Sequence, residues 1–232
     1  MISFVVPAHN EARLIGATLR ALQQAAQALA EPFEIIVVDD ASDDATAAIA
    51  LSCGATVLTV AHRHIAATRN AGAALACGQR LVFVDADTRI GEAVLRAATR
   101  AMDAGAVGGG VAVELEGEVA LQARLAARFF AWIFRLTRIA PGCFLFCTRA
   151  AFDAAGGFDL TYYAGEDVAM SRALARQGRF VILREAVHTS ARKLHTFSAW
   201  EHLRLALRFL WKRQRMLTSR EHLDLWYGKR RD

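Results

Sequence analysis

Two aspartates separated by one residue, Asp85 and Asp87, directly follow the apolar run Leu-Val-Phe-Val at 81–84. Such a run is typical of a strand that is buried on both faces of a parallel sheet. Ligands of α/β sheets bind beyond the carboxyl ends of the strands, where both aspartates would lie. Side chains two residues apart point to the same side, so the pair suits a hard divalent cation that also binds phosphate oxygens. The alternative is a helix-capping aspartate beside a surface aspartate.

A second acidic pair, Glu166 and Asp167, opens a predicted helix that runs to about residue 177. Acidic residues at a helix N-terminus complement the helix dipole, and this role alone would explain the pair. In the functional interpretation, Asp167 is a general base that the helix dipole keeps ionised at neutral pH. Glu166 would then help to position the molecule that gives up the proton.

The elements that must position these carboxylates alternate between strand and helix. Strands are predicted at 2–6, 34–38, 55–60, 81–84, 106–115, 143–147 and 179–183. Helices are predicted from residue 11 and at 45–51, 65–76, 92–103, 119–138, 149–155 and 166–177. Short connections between alternating elements favour an α/β fold with a mostly parallel sheet, right-handed crossovers and flanking helices.

The composition is that of a folded domain with a large core, because 54% of the 232 residues are hydrophobic and 22% are charged. The net charge of +5 is concentrated in the C-terminal third, which could meet nucleic acid, an anionic membrane or a phosphorylated substrate. Four cysteines without a Cys-x-x-Cys pair predict reduced, buried thiols. Neither a signal peptide nor a spanning helix is predicted, so we expect a cytoplasmic protein.

Six short motifs, which include both acidic pairs, follow one another along the chain. They are residues 7–11 (Pro-Ala-His-Asn-Glu), 38–44 (Val-Asp-Asp-Ala-Ser-Asp-Asp), 69–72 (Arg-Asn-Ala-Gly), 85–87 (Asp-Ala-Asp), 156–159 (Gly-Gly-Phe-Asp) and 165–168 (Gly-Glu-Asp-Val). In this order the chain resembles the family 2 glycosyltransferases over about residues 1–192. The resemblance implies a GT-A fold: a Rossmann-like nucleotide-sugar-binding half (1–104) and an acceptor half (105–197), which together make one domain (1–197). A basic amphipathic helical tail (198–232) would follow.

For the nucleotide-sugar, the resemblance implies contacts from several motifs. Asp40, at the end of the second strand, would contact the base, and a carboxylate there can accept an N–H from a purine or pyrimidine edge. The other residues implied in nucleotide-sugar binding are Pro7, Ala8, Glu11, Arg69, Asp85 and Arg192. The guanidinium of Arg69 suits a diphosphate, and the alternative is an arginine on a helix surface.

The resemblance assigns the metal and the chemistry to carboxylates and one histidine. Asp87, Asp85 and His188 would hold Mg²⁺ or Mn²⁺, which neutralises charge on the leaving nucleoside diphosphate. Asp167, helped by Glu166, would deprotonate an acceptor hydroxyl. That oxygen attacks the anomeric carbon from the face opposite the phosphate, which inverts the configuration. A lone histidine is otherwise more often an ordinary hydrogen-bonded residue.

The partners implied are a UDP- or GDP-sugar and an unidentified acceptor, either lipid-linked or close to a membrane. The tail beyond residue 198 combines an apolar helical stripe with many basic residues, which is typical of a helix on an anionic membrane surface, here the inner face of the cell membrane. A helix packed on the domain is the alternative. No nucleic-acid-binding motif is present, so no nucleic acid is expected.

Two other functions stay open at this point. One is a nucleotidyltransferase of similar fold, which would normally carry a glycine-rich loop after the first strand; residues 7–11 contain none. The other is a membrane-associated scaffold that has kept the fold and lost catalysis. Against this scaffold, the predicted site keeps four aspartates that a protein without catalysis would have no reason to retain: Asp40, Asp85, Asp87 and Asp167.

Overall fold

The fold is that of a computed structural model, which describes residues 1–116, 139–140 and 142–190. Of residues 112–116 and 188–190 only the backbone is described. Arg192, the predicted helix at 119–138 and the predicted helical tail lie outside the described residues.

Strands and helices alternate along the first half of the chain, as the sequence predicts. The strands are β1 (Ile2–Ala8), β2 (Phe33–Asp40), β3 (Thr56–Val60), β4 (Arg80–Val84), β5 (Thr88–Arg89), β6 (Gly108–Glu116), β7 (Phe144–Thr148) and β8 (Phe180–Ser190). The helices are α1 (Ile15–Gln27), α2 (Thr46–Ser52), α3 (Ile65–Leu75), α4 (Glu92–Asp103), α5 (Arg149–Ala155) and α6 (Glu166–Gln177).

The strands form one sheet in the order β3-β2-β1-β4-β7-β6-β8-β5. Strands β1 to β4 are parallel, and β8 is parallel to β6. Strand β7 runs antiparallel to β4 on one side and to β6 on the other. The predicted α/β fold is confirmed, and the β4–β7 pairing joins the strands before and after residue 104 in one continuous sheet.

The core lies on both faces of this sheet. Helices α1 and α4 cover one face, where Phe4 and Val6 of β1 point, and α3, α5 and α6 cover the other, where Val5 points. The side chains of β4 alternate in the same way, with Val82 on the first face and Phe83 on the second. Burial of each such side chain contributes about 1.5–3 kcal/mol to folding. Because both faces are covered, the strands have continuous apolar runs rather than alternating ones.

The three glycines at the start of β6 allow neighbouring atoms to lie close to this strand. A Cβ atom on Gly109 would lie 2.2 Å from the Val181 carbonyl oxygen, and one on Gly110 would lie 2.3 Å from the Ala140 Cβ. Side chains at these positions would therefore separate β6 from its neighbours.

Two local predictions were wrong. Helix α1 begins at Ile15 rather than at residue 11, because a turn held by the Glu11 carbonyl precedes it. Strand β8 continues to Ser190, and its last residues pair with the unpredicted β5.

The four cysteines differ in burial. All four cysteines are free, but Cys77 is exposed, contrary to the prediction of buried thiols, because it lies in the turn before β4. Cys147 is buried, and burial raises the pKa of its thiol.

Among the helices within residues 1–116 and 139–190, none has the length and hydrophobicity needed to cross a membrane.

Candidate active site

The backbone is strained at the carboxyl edge of the sheet. Asn10 after β1, Ala41 after β2 and Arg63 after β3 have φ angles of 54°, 55° and 50°. Left-handed conformations of residues other than glycine are uncommon and cluster at functional sites, where the surrounding contacts hold them in place. Elsewhere in the described residues only Ala30 shares this feature. Three adjacent loops therefore have backbone conformations that must be held by tertiary contacts.

The contacts that hold the first two loops are side-chain to backbone hydrogen bonds. The amide of Asn10 donates to Ser42 Oγ at 2.9 Å, and the amide of Glu11 donates to Thr46 Oγ1 at 2.8 Å. In return, the Asp43 amide donates to the Asn10 side-chain oxygen at 2.9 Å. The loops after β1 and β2 therefore form one unit.

The predicted base and ribose residues lie in this unit or next to it. Pro7 and Ala8 are the buried last residues of β1, and Ala8 pairs with Asp39 of β2. Glu11 is 7% exposed, at the start of the turn that leads into α1. The structure thus brings these three residues to the same edge, and their contact with a nucleotide stays a prediction.

Asp40 anchors the segment that leads from β3 to α3. Its carboxylate accepts the amides of Arg63 and His64, at 2.8 and 3.1 Å, and the hydroxyl of Thr68 at 2.9 Å. Within the described part of the chain, Oδ1 accepts one of these bonds and Oδ2 accepts two. A carboxylate oxygen can accept two hydrogen bonds, so Oδ1 keeps the capacity for the predicted contact with a base.

Arg69 is the centre of a buried ionic network. Its side chain is 3% exposed; Nη1 donates to Glu166 at 2.6 Å, and Nη2 donates to Asp85 at 2.9 Å. Nη2 also donates to the Gly142 carbonyl at 2.9 Å, and the Phe158 ring lies 5.3 Å from Cζ. The surface interpretation of this arginine is therefore wrong, and contact with a diphosphate stays a prediction.

The charge state of Arg69 follows from these contacts. Burial lowers the pKa of Arg69, but the carboxylates of Asp85, Glu166 and Asp167 raise it by more, so the pKa is higher than usual. The guanidinium is thus a permanent cation that joins the two acidic pairs predicted from the sequence.

The next residues of the Arg-Asn-Ala-Gly motif fix the packing of α3. Asn70 Nδ2 donates to the Phe158 carbonyl at 2.8 Å, and the Phe158 amide donates to Asn70 Oδ1 at 2.8 Å. A Cβ on Gly72 would lie 2.4 Å from Val5 Cγ1, so only glycine allows α3 to lie this close to β1. The motif at 156–159 is positioned through Asn70.

The Asp85–Asp87 turn is held by its backbone. The Asp85 amide donates to the Cys143 carbonyl at 3.1 Å, and the Ala86 carbonyl accepts the Thr18 hydroxyl at 2.8 Å. The Asp85 side chain is 25% exposed, while Asp87 is 8% exposed as a residue. Both carboxylates therefore lie at the end of β4, where the sequence predicts them.

Glu166 and Asp167 differ in their surroundings although they are neighbours in the sequence. Glu166 is buried against Arg69, whereas Asp167 is only partly buried, and its carboxylate accepts the Val168 amide at 2.8 Å. Burial and the charge of Glu166 raise the pKa of Asp167 to about 7, although Arg69 opposes this shift. The helix dipole was expected to keep Asp167 ionised, and the direction of the shift is the opposite.

Of the three predicted metal ligands, Asp85 and Asp87 are the two whose side chains the structure describes. Asp85 and Asp87 supply carboxylates, and the described residues contain no group of three or more His, Cys, Asp or Glu side chains placed to hold a metal. Mg²⁺ commonly binds one or two carboxylates and takes its other ligands from water and substrate phosphates, so this pair fits such an ion. The backbone of His188 pairs with Arg89, next to the aspartate turn.

Some residues at the site were not predicted from the sequence. Gly142 faces Asp167, whose Oδ2 would lie 2.9 Å from a Cβ added to the glycine, and Phe158 packs on Arg69. His9 Nδ1 lies 2.9 Å from the Asp40 carbonyl, and His9 Nε2 lies 3.3 Å from Arg63 Nη1. Phe158 and His9 had a signal in the sequence, since each belongs to one of the six motifs.

Comparison with known proteins identifies the family. The profile described as Glycosyl transferase family 2 matches residues 3–156, which is more than half of the chain, and the chain belongs to this family. The 4,4'-diaponeurosporenoate glycosyltransferase of Staphylococcus aureus (strain MRSA252) is 37% identical over 92 residues. That alignment covers 37% of this chain and only 24% of the relative.

Several solved structures have the same fold. Residues 1–349 of S. aureus TarS match with a TM-score of 0.64 and 20% identity, over 90% of this chain and 65% of that chain. The mannosyltransferase PcManGT from Pyrobaculum calidifontis, in complex with GDP-Man and Mn²⁺, matches with a TM-score of 0.67 and 18% identity, over 89% of this chain and 64% of that one. These similarities establish the GT-A-like fold.

Proposed function

We propose that this chain is a metal-dependent, inverting glycosyltransferase that moves a sugar from a nucleoside-diphosphate sugar to an acceptor hydroxyl. The observation that carries the proposal is the buried Arg69, which binds Asp85 on the donor side at 2.9 Å and Glu166 on the acceptor side at 2.6 Å. One guanidinium thus holds the two acidic pairs of the sequence at a single site. Membership of the family supports the same activity.

The acceptor side would supply the base. Asp167 takes the proton of the acceptor hydroxyl while that oxygen forms a bond to the anomeric carbon. The bond from this carbon to the diphosphate oxygen breaks, and its electron pair leaves with the nucleoside diphosphate. Glu166 is engaged by Arg69, so Asp167, which is less buried, is the better candidate for the base. A pKa near 7 suits a group that must accept and release a proton at neutral pH.

The donor side would bind the nucleotide-sugar at the carboxyl ends of β1, β2 and β4. Asp85 and Asp87, with His188 as a third candidate, would hold Mg²⁺ or Mn²⁺, which acts as a Lewis acid toward the leaving diphosphate. Asp40 would accept an N–H of a uracil or guanine base. TarS has been solved with UDP and UDP-GlcNAc, and PcManGT with GDP-Man, which supports both bases as candidates.

Calorimetric titration tests the proposal without knowledge of the acceptor. The protein is titrated with UDP and with GDP, each with and without Mn²⁺. We expect one of the two nucleotides to bind only when Mn²⁺ is present. Asp87→Ala should abolish this binding, and the control variant Gly91→Ala, in an exposed loop, should bind as the wild type does. A folded protein that binds neither nucleotide would refute the proposed function.

The two alternatives give different results. A scaffold without catalysis would bind at most the nucleotide, and it would not release UDP from UDP-GlcNAc or GDP from GDP-mannose in the presence of Mn²⁺. A nucleotidyltransferase would join a nucleoside triphosphate to a sugar phosphate and release pyrophosphate. A glycosyltransferase would release no pyrophosphate from this mixture.

A membrane-proximal acceptor would be consistent with the basic tail. We infer that the protein binds the cytoplasmic face of the membrane through residues 198–232, where apolar and basic residues alternate with helical spacing. Cosedimentation with vesicles that contain phosphatidylglycerol, compared with pure phosphatidylcholine vesicles, tests this. Equal binding to both kinds of vesicle, or no binding to either, contradicts it.

A further inference from the structure

Residues 142 and 143 lie between the Asp85 turn and the start of α6. The Cys143 carbonyl accepts the Asp85 amide at 3.1 Å, and the Gly142 carbonyl accepts Arg69 Nη2 at 2.9 Å. Arg69 is buried and is itself held by two carboxylates. A shift of this segment away from the site would leave buried polar groups without partners, at a cost of about 1–3 kcal/mol for each group. The backbone of Gly142 is therefore fixed relative to the donor side.

On its other side, Gly142 faces the carboxylate of Asp167. A Cβ atom added to Gly142 would lie 2.9 Å from Asp167 Oδ2, 3.3 Å from Cγ and 3.4 Å from Cβ, and these are its three nearest atoms. The first distance is too short for a real contact between these atoms. Because the backbone of residue 142 is fixed and the carboxylate ends a side chain with rotatable bonds, the carboxylate is the group that must move.

We propose that Gly142 is a positioning residue: the absence of a side chain at 142 fixes where the Asp167 carboxylate lies relative to Asp85. This inference rests on the proposed function, since it requires Asp167 to be the base. A base must come within about 2.6–3.2 Å of the proton that it takes. A misplacement of about 1 Å can lower the rate about 100-fold.

Alanine at 142 tests this contact with little other change. Gly142 does not have a left-handed backbone conformation, so alanine adds no backbone strain there. The matched control is Gly91→Ala at the exposed start of α4, where an added Cβ would have no atom within 4 Å. Both variants add one methyl group, and only the first one meets the carboxylate.

The first readout is the hydrolysis of UDP-GlcNAc and of GDP-mannose with Mn²⁺, in which water is the acceptor and Asp167 takes its proton. We expect Gly142→Ala to lower kcat about 10- to 100-fold with the donor KM changed less than about twofold, because only the base is displaced. Gly91→Ala should keep both constants. A wild-type kcat for Gly142→Ala would overturn the inference.

The second readout is a double-mutant cycle with Asp167→Asn. If Gly142 acts through Asp167, alanine at 142 has no further effect once the base is gone, whereas an independent role gives the same loss in both backgrounds. The same loss in both backgrounds contradicts the inference. A wild-type rate for Asp167→Asn alone instead refutes the base assignment in the proposed function, whatever Gly142→Ala does.

The third readout needs no turnover. In crystals of the wild type and of Gly142→Ala, the Asp167 carboxylate should move away from residue 142 while the backbone of 142–143 stays in place. An unmoved carboxylate beside the new methyl group overturns the inference. So does a Gly142→Ala chain that does not fold while Gly91→Ala does, because the inference requires that only the carboxylate moves.

Discussion

Replacing Arg69 by methionine tests the buried ionic network directly. Methionine keeps most of the apolar stem and removes the charge, which leaves Glu166 buried and Asp85 partly buried without their cation. Removing one partner of a buried ion pair costs about 3–5 kcal/mol, because the other charge is left uncompensated. For a protein of this size, each kcal/mol lowers Tm by about 2–4 °C, so Tm should fall by about 6–20 °C.

The free energy of unfolding is measured by urea unfolding and Tm by thermal unfolding, both followed by circular dichroism, with Arg96→Met as the control. Arg96 forms an ion pair with Glu92 one turn away on α4, and the two side chains are 40% and 51% exposed. Such a pair contributes about 0.3–0.5 kcal/mol. If the two variants differ by less than about 1 kcal/mol, the reasoning from burial is wrong. Adding Glu166→Gln to Arg69→Met should recover part of the loss, because it removes one of the unpaired charges.

Three further predictions concern Asp167 and the packing of α3. Asp167→Asn should lower the rate of sugar-nucleotide hydrolysis about 10²- to 10⁴-fold, and the wild-type rate should rise with pH through about 7 as the base loses its proton. Folded Asp167 keeps its proton up to about pH 7, while the unfolded chain loses it near the ordinary pKa of 3.8, so the free energy of unfolding should fall as pH rises between these values. Urea melts at pH 5 and pH 8 should show this decline in the wild type and a smaller one in Asp167→Asn; equal declines would contradict the assignment. Gly72→Ala should lower the free energy of unfolding by about 1–3 kcal/mol, because its Cβ would lie 2.4 Å from Val5 Cγ1 and 2.8 Å from Val38 Cγ2; the check is a melt beside Gly91→Ala, which should match the wild type.

The sequence alone determined the order of the described helices and of every described strand except the two-residue β5, and the position of the motifs on them. Helix α4 was predicted at 92–103 and is found there, and the apolar runs of β1, β2 and β4 end where the predicted site begins. These predictions succeed because side-chain periodicity and the burial of both sheet faces leave a local pattern in the sequence. The sequence has no local pattern that shows where β7 lies in the sheet. Its antiparallel position between β4 and β6 depends on pairing between distant segments.

The contacts within the site were decided by the tertiary structure. The sequence left Arg69 between a diphosphate contact and a surface position, and the fold buries it between carboxylates that are 16 and 97 residues away along the chain. It also could not tell which of Glu166 and Asp167 is buried. Successive side chains on a helix point in different directions, and only the ion pair with Arg69 of α3 shows that Glu166 is the buried one.

The pKa of Asp167 was also decided by the tertiary structure. Its position at a helix N-terminus is a local feature, and it led to the prediction of an easily ionised carboxylate. Burial and the neighbouring Glu166 act in the opposite direction, and they raise the pKa to about 7. The sequence thus determined which residues come to the site, through patterns that repeat along the chain. The tertiary structure determined their distances, burial and charge, because these depend on groups far apart in the sequence.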